Sequence, residues 1–219
     1  MNITLYHGSR NVISNPTPLG GRRNNDYGQG FYCTLHYDIA CEWAVDKDVD
    51  GFVNSYDFDM KNMNILNLSS EEYSILNWLA LLLENRIVTL NLPIMKSGAE
   101  YILKNYRIDT EKYDIIQGYR ADDSYFSFVR AFVSNAISLE QLKTVMHLGN
   151  LGEQICIKSE KSFNRLRFLE AAPVPSGIFY PIKYKRDIDA REAFNTELSA
   201  QDENGTFIMD LIRKDGKVL

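Results

Sequence analysis

The period of the hydrophobic positions changes several times along the chain, and each change marks an element. Ile3-Thr4-Leu5-Tyr6-His7-Gly8 is a short β-type stretch that stops at a glycine. Phe31-Tyr32-Cys33-Thr34 is a second such stretch, Phe52 to Phe58 alternates as a third, and Asn64 to Leu68 resembles a fourth. Between the second and third, Ile39, Ala40, Trp43 and Ala44 recur at helical spacing, with Asp38 as the expected cap and Gly51 as the expected stop. Ser69-Ser70-Glu71-Glu72 predicts a helix start, a serine cap with acid in the first turn. That helix should reach Asn85 or Arg86 with Tyr73, Leu76, Leu79, Leu82 and Leu83 inward. Further helices are predicted over 96–106 and 124–134, and from the serine cap at Ser138. Strands are predicted over Tyr113–Gly118, Gln154–Lys158 and Arg165–Leu169. Pro173, Pro175 and Pro181 are expected to break regular structure, ahead of an exposed helix over 187–198, a turn at Asn204-Gly205 and a short helix over 206–213.

The order predicts an α+β fold. Strands at the two ends of the chain enclose a helical middle and should meet in one core over residues 1–181, with 182–219 as a helical C-terminal appendage. At 219 residues the chain can bury roughly 70% of its unfolded surface and needs no covalent or metal staple. The net charge of -5 argues against bulk electrostatic binding of nucleic acid, but leaves room for a basic patch around a nucleotide pocket. Cys33, Cys41 and Cys156 fall at no metal-ligand spacing, so neither a disulfide framework nor a metal site is expected. The first residues show no signal-peptide pattern, and the longest apolar run, Ile75 to Leu83, is too short to span a bilayer. The expectation is a cytoplasmic protein with no membrane contact.

Three features carry candidate chemistry, and each has a plainer alternative. His7 ends a strand and precedes Gly8 and Ser9; the glycine would let a ligand approach the backbone, while the alternative is a histidine satisfied in a loop. Tyr27-Gly28-Gln29-Gly30-Phe31-Tyr32 is a tight turn that puts a tyrosine on a strand, fit to stack on a flat heterocycle; the alternative is a hairpin with a core aromatic. This turn lacks the third glycine and the buried parallel strand of a dinucleotide fingerprint. Gly152-Glu153-Gln154 places polar groups at the mouth of a late strand, or is simply a surface turn.

Taken in order, these pieces resemble the ADP-ribosyltransferase superfamily. The branch is the His–Tyr–Glu one, which includes diphtheria toxin and the poly(ADP-ribose) polymerases, and the resemblance is closest to the bacterial family of domain of unknown function 3990. The matching text is Leu5 to Ser9, Asp26 to Thr34 with Ala40, Trp43 and Ala44 behind it, Tyr113-Asp114 with Gly118 and Ala121 to Asp123, and Gln154 through Phe163. The resemblance implies a split antiparallel β core and NAD as substrate, without a metal. His7 would bind the adenosine-ribose 2′-hydroxyl, Gly8 and Ser9 would hold the nicotinamide amide, and Tyr32 would stack on the nicotinamide ring. Tyr27 would close the other side, and Gly30 belongs to the same binding turn.

The third motif of that branch normally supplies a glutamate. Here the strand opens with Gln154, preceded by Glu153, and alternation lets only one face the ligand; Gln154 is the better match. An amide orients a ribose hydroxyl but cannot offer full charge to an oxocarbenium-like transition state. The implied activity is therefore transfer of a single ADP-ribose to a macromolecular acceptor, protein or nucleic acid, by a bacterial toxin or phage-defence effector held by an antitoxin protein. The alternative is a weak or inactive NAD-binding pseudoenzyme acting through a partner, and a third reading is a pure interaction module. Asp122-Asp123 read as loop polar groups rather than metal ligands, Arg22 and Arg23 as solvated charges with a pyrophosphate contact as the lesser option, and Trp43 as core. His36 and His147 have no triad partners, and Ser9 with His7 lacks the elbow of a hydrolase.

Overall fold

The computed structural model describes residues 2–121, 125–146, 152–200 and 202–215. Asp122, Asp123 and His147 lie outside the described residues. The chain folds as mixed α+β with two sheets. The first joins β1 (Asn2–Ser9), β3 (Gly51–Asp59) and β7 (Leu166–Val174) in the order β1-β3-β7, all antiparallel. The second joins β2 (Phe31–Cys33), β4 (Ile65–Asn67), β5 (Ile115–Tyr119) and β6 (Glu153–Ile157) in the order β2-β6-β5-β4. Early and late strands do meet, β1 and β7 flanking β3. One pairing departs from the antiparallel expectation: β4 runs parallel to β5. Parallel neighbours need a long crossover, and α2 (Ile75–Asn85) with α3 (Pro93–Tyr106) supplies it.

The sheets are stitched at an isolated antiparallel bridge, where Tyr6 N–H donates to the Thr34 carbonyl and Thr34 N–H returns the bond, both at 2.9 Å. A core between the sheets gathers Leu5, Phe31, Tyr56, Phe58 and Ile155. A larger core lies under α2, α3, α4 (Tyr125–Val133) and α5 (Leu139–Val145), centred on Trp78, Leu79, Phe128 and Phe132. α1 (Tyr37–Ala44) packs against β1 and β3, and α6 (Glu160–Phe163) links β6 to β7.

Several boundaries differ from the sequence expectation. α1 begins at Tyr37 with His36 as its N-cap, so Asp38 lies in the first turn instead of capping it, and Gly51 opens β3 rather than ending the helix. Ser69 to Glu72 form turns: Asn67 Oδ1 accepts from Ser69 N–H at 3.0 Å and the Asn67 carbonyl from the Ser70 hydroxyl at 2.8 Å, a local alternative to helix. The helix starts after Ser74, whose N–H donates to Asn77 Oδ1 at 2.9 Å. α3 begins three residues early because Pro93 occupies the first helical position, where a missing N–H costs nothing. Pro173 does not break β7; it sits on an edge strand, where proline is tolerated.

α7 (Ser176–Ser199) starts after Pro175 and carries Pro181 inside it, so the expected border at 181/182 falls within one helix. Its buried residues Ala190 and Phe194, with Ile208 of α8 (Ile208–Asp215), join the body of the protein. Phe194 meets Phe128 ring to ring at 4.3 Å, and Arg186 clamps the buried Glu42 of α1 with two hydrogen bonds of 3.0 and 2.7 Å. Among the described residues no helix is long and apolar enough to cross a membrane. The three cysteines are free and buried; burial pushes Cys41 up to about 11 and Cys156 to about 12, and Cys33 well above the thiol range.

Candidate functional site

A cavity of about 920 Å³ opens beside the stitch between the sheets. His7, Gly8 and Ser9 reach it from the end of β1, Gly30 and Tyr32 from the turn and start of β2, and Gln154 from β6. Three segments far apart in the chain therefore share one wall.

His7 is held between a carbonyl and a ring. Its Nδ1 lies 2.7 Å from the Tyr32 carbonyl, and its imidazole lies on Phe31 with ring centres 4.4 Å apart. A carbonyl only accepts, so Nδ1 carries the hydrogen. Burial lowers the histidine pKa, opposed by that hydrogen bond, so the ring is neutral near pH 7 and Nε2 is an acceptor. The arrangement offers a hydroxyl-binding group whose tautomer is set by the backbone.

Gly8 has a reason other than ligand access. A Cβ there would fall 2.0 Å from the Ala40 carbonyl oxygen and 2.7 Å from the Ala44 nitrogen, so the glycine lets β1 lie against α1. The Ser9 hydroxyl donates to the Asn11 carbonyl at 2.5 Å and accepts from Asn54 Nδ2 at 3.2 Å, which ties it to the following loop.

The two tyrosines part company. Tyr32 lines the cavity, while its hydroxyl donates to the Gly28 carbonyl at 2.7 Å and accepts from Tyr27 N–H at 3.0 Å, bracing the turn. Tyr27 is 1% exposed and does not line the cavity. Its ring runs nearly parallel to that of Tyr32 with centres 6.3 Å apart, and its hydroxyl donates to the Tyr119 carbonyl. Burial raises both phenols well above their ordinary range, so both stay neutral.

Gln154 and Glu153 part as strand alternation requires. Gln154 is buried and lines the cavity; Glu153 is absent from its lining and accepts from Gln117 Nε2 at 2.6 Å.

The cavity also holds residues the sequence did not single out for the site. Asp26, a buried carboxylate, accepts from Gln154 Nε2 at 2.7 Å and from Ala121 N–H at 3.0 Å, with Arg86 Nε 3.6 Å away. Burial raises its pKa, against the pull of these donors and of Arg86 and Arg120. Arg86, Arg120 and Lys183 line the same space, and so does Arg22, for which the sequence offers a pyrophosphate contact as the lesser option. Arg120 lies over the Trp43 ring at 4.7 Å, and Trp43, expected as core, also lines the cavity; its buried Nε1 has no hydrogen-bond partner among the described residues. Among the described residues, four cationic side chains against the carboxylates of Asp26 and Asp46 make this lining positive in a chain of net charge -5. Arg23 instead lines a separate cavity of about 560 Å³ beyond the turn, with Lys158 and Arg107. No local signal marked Arg86 or Arg120; Asp26 stood in the turn, but as part of its punctuation.

Comparison with known proteins places the chain. A family model described as "Protein of unknown function (DUF3990)" matches residues 3–168. The chain belongs to the DUF3990 family. The region shared with DUF3990 contains the whole run from β1 into β7, including His7, Tyr32, Asp26 and Gln154. No curated protein and no solved structure matches the chain.

Proposed function

We propose that this DUF3990 protein binds NAD in the cavity between its sheets and transfers a single ADP-ribose to a macromolecular acceptor. The observation that carries the reading is the convergence of His7, Tyr32 and Gln154 on one positively lined space. Neutral His7 would accept from the adenosine-ribose hydroxyl, and the Tyr32 ring would face the nicotinamide. The cationic side chains suit a pyrophosphate, because charge-assisted bonds to phosphate oxygens are the strong ones. In the reaction the C1′–N bond breaks, its electron pair leaves on nicotinamide, and the acceptor nucleophile attacks C1′ and gives up its proton. The positive charge on the ribose ring must be met as it develops.

A second reading, an NAD-binding protein without turnover, is favoured by a single feature: the third motif carries an amide in place of an acid. Labelled NAD and cell lysate separate the two. The first reading expects label on macromolecules with the parent protein and at least tenfold less with His7→Ala or Tyr32→Ala; equal labelling by all three would overturn it. Calorimetric NAD binding without nicotinamide release selects the second. Growth arrest on expression, relieved by His7→Ala, is the expected cellular counterpart of the first.

A further inference from the structure

The surroundings of Gln154 decide which end of its amide meets a ligand. Nε2 donates to Asp26 Oδ2 at 2.7 Å and to the Tyr119 carbonyl at 3.2 Å. A carboxylate and a carbonyl can only accept, so the assignment of nitrogen and oxygen is forced by the partners. Both amide hydrogens are thereby used. Oε1 receives no hydrogen bond from any described residue, and Gln154, 4% exposed, lines the cavity. The group presented to a ligand is an oriented acceptor, the same polarity that a carboxylate would offer to a hydroxyl.

Asp26 creates that orientation. It comes from the turn before β2, 128 residues away from Gln154, and is 5% exposed in the wall of the same cavity. Burying a carboxylate is costly unless its oxygens are well served. Here Oδ2 takes two hydrogen bonds, from Gln154 and Ala121, and Oδ1 faces Arg86 at 3.6 Å. A carboxylate bonded to an amide N–H also draws electron density toward the far oxygen, since bonds in a chain polarise one another.

We propose that Asp26 is a positioning residue: it pins the Gln154 amide with Oε1 presented to the cavity, so that two side chains together supply the acceptor and the negative charge otherwise borne by one acid. Its chemical consequence rests on the NAD-splitting reading; the pinning does not.

The test uses the full chain and a charge exchange. Asp26→Asn keeps an acceptor oxygen toward Gln154 and Ala121 but removes the charge. Gln154→Glu sets two carboxylates against each other. The double variant Asp26→Asn/Gln154→Glu reverses the pair, with the amide at 26 donating to an acid at 154. Expected are a fall in kcat for nicotinamide release of about tenfold or more in each single variant, KM for NAD within threefold of the parent, and recovery in the double variant to within threefold of the parent kcat. A purely structural role predicts no such rescue. Asp26→Asn within twofold of the parent, or a double variant no better than the worse single, would overturn the proposal. If the parent releases no nicotinamide, the functional reading is the part that fails, and the pinning is read from the Gln154 side-chain amide by nitrogen-15 NMR, with Gln154→Glu assigning the signal. Asp26→Ala should speed exchange of those amide hydrogens with water at least tenfold; unchanged exchange would overturn the proposal.

Discussion

Asn54 shows how single polar side chains shape the cavity from a distance. It is fully buried on β3; its Nδ2 lies within 3.3 Å of the His7 carbonyl, the Asn11 carbonyl and the Ser9 hydroxyl, and its Oδ1 accepts from Ile13 N–H at 2.7 Å. Tyr56, two residues on and so on the same face, donates to the Ile13 carbonyl. Together they fold the loop after β1 back over the sheet. Asn54→Ala should cost about 2–3 kcal/mol in urea denaturation, because it strands buried donors and acceptors rather than one contact. If the proposed NAD binding holds, it should also raise the Kd for NAD through movement of the His7 loop, a shift that calorimetry would detect. His7, Tyr32 and Gln154 were legible in the sequence as candidates because each stands within two residues of a glycine at a strand end or turn. Asp26, Asn54, Arg86 and Arg120 were not, because their roles arise from contacts between distant segments, which no local pattern encodes. Gly8 was legible as a necessary glycine but for another reason, since the packing of α1 on its backbone is a tertiary fact.

Elements were read well where periodicity was long and poorly where side chains compete with the backbone. The turn around Asn67 displaced the expected start of α2, and an edge position absorbed Pro173. A comparable side-chain knot fixes the entrance to β5. Asp114 accepts from Asn64 N–H and Lys161 Nζ at 2.8 Å each and from the Ser159 hydroxyl at 2.6 Å, joining the approach to β4 with α6. Burial opposes ionisation there, but these donors win and hold Asp114 at about 2. A carboxylate depressed in the folded state stabilises the protein above its ordinary value, about 4, and that stability is lost as pH falls through about 2. The unfolding free energy should therefore decline between these limits, and Asp114→Asn should flatten that decline while lowering stability at pH 7. An unchanged slope in acid titrations of denaturant midpoints would contradict the assignment.

At the scale of the molecule, the C-terminal helices belong to the body. The side chain of Glu42 is 5% exposed and paired with Arg186 across 144 residues. Removing one partner of a buried pair leaves an uncompensated charge, so Arg186→Ala should destabilise by about 3–5 kcal/mol. Phe194→Ala should cost about 3 kcal/mol for the cavity left against Phe128. Both are readable as shifts in the denaturation midpoint. The α+β class and the meeting of early and late strands were visible from the order of elements, whereas the division into two sheets depends on where one β1–β2 pairing stops. That pairing consists of two amide hydrogen bonds between Tyr6 and Thr34, and just beyond it the imidazole of His7, not another peptide group, bonds to the Tyr32 carbonyl. The ladder is thus interrupted like a zipper jammed by one tooth, and His7 and Tyr32 at the break line the cavity, where the proposed function would lodge its nucleotide. A molecule wedged there would act as a rivet across both halves, so the Tyr6 and Thr34 amide protons should trade with deuterium more slowly once it is in place, a built-in gauge of occupancy that needs no catalysis at all.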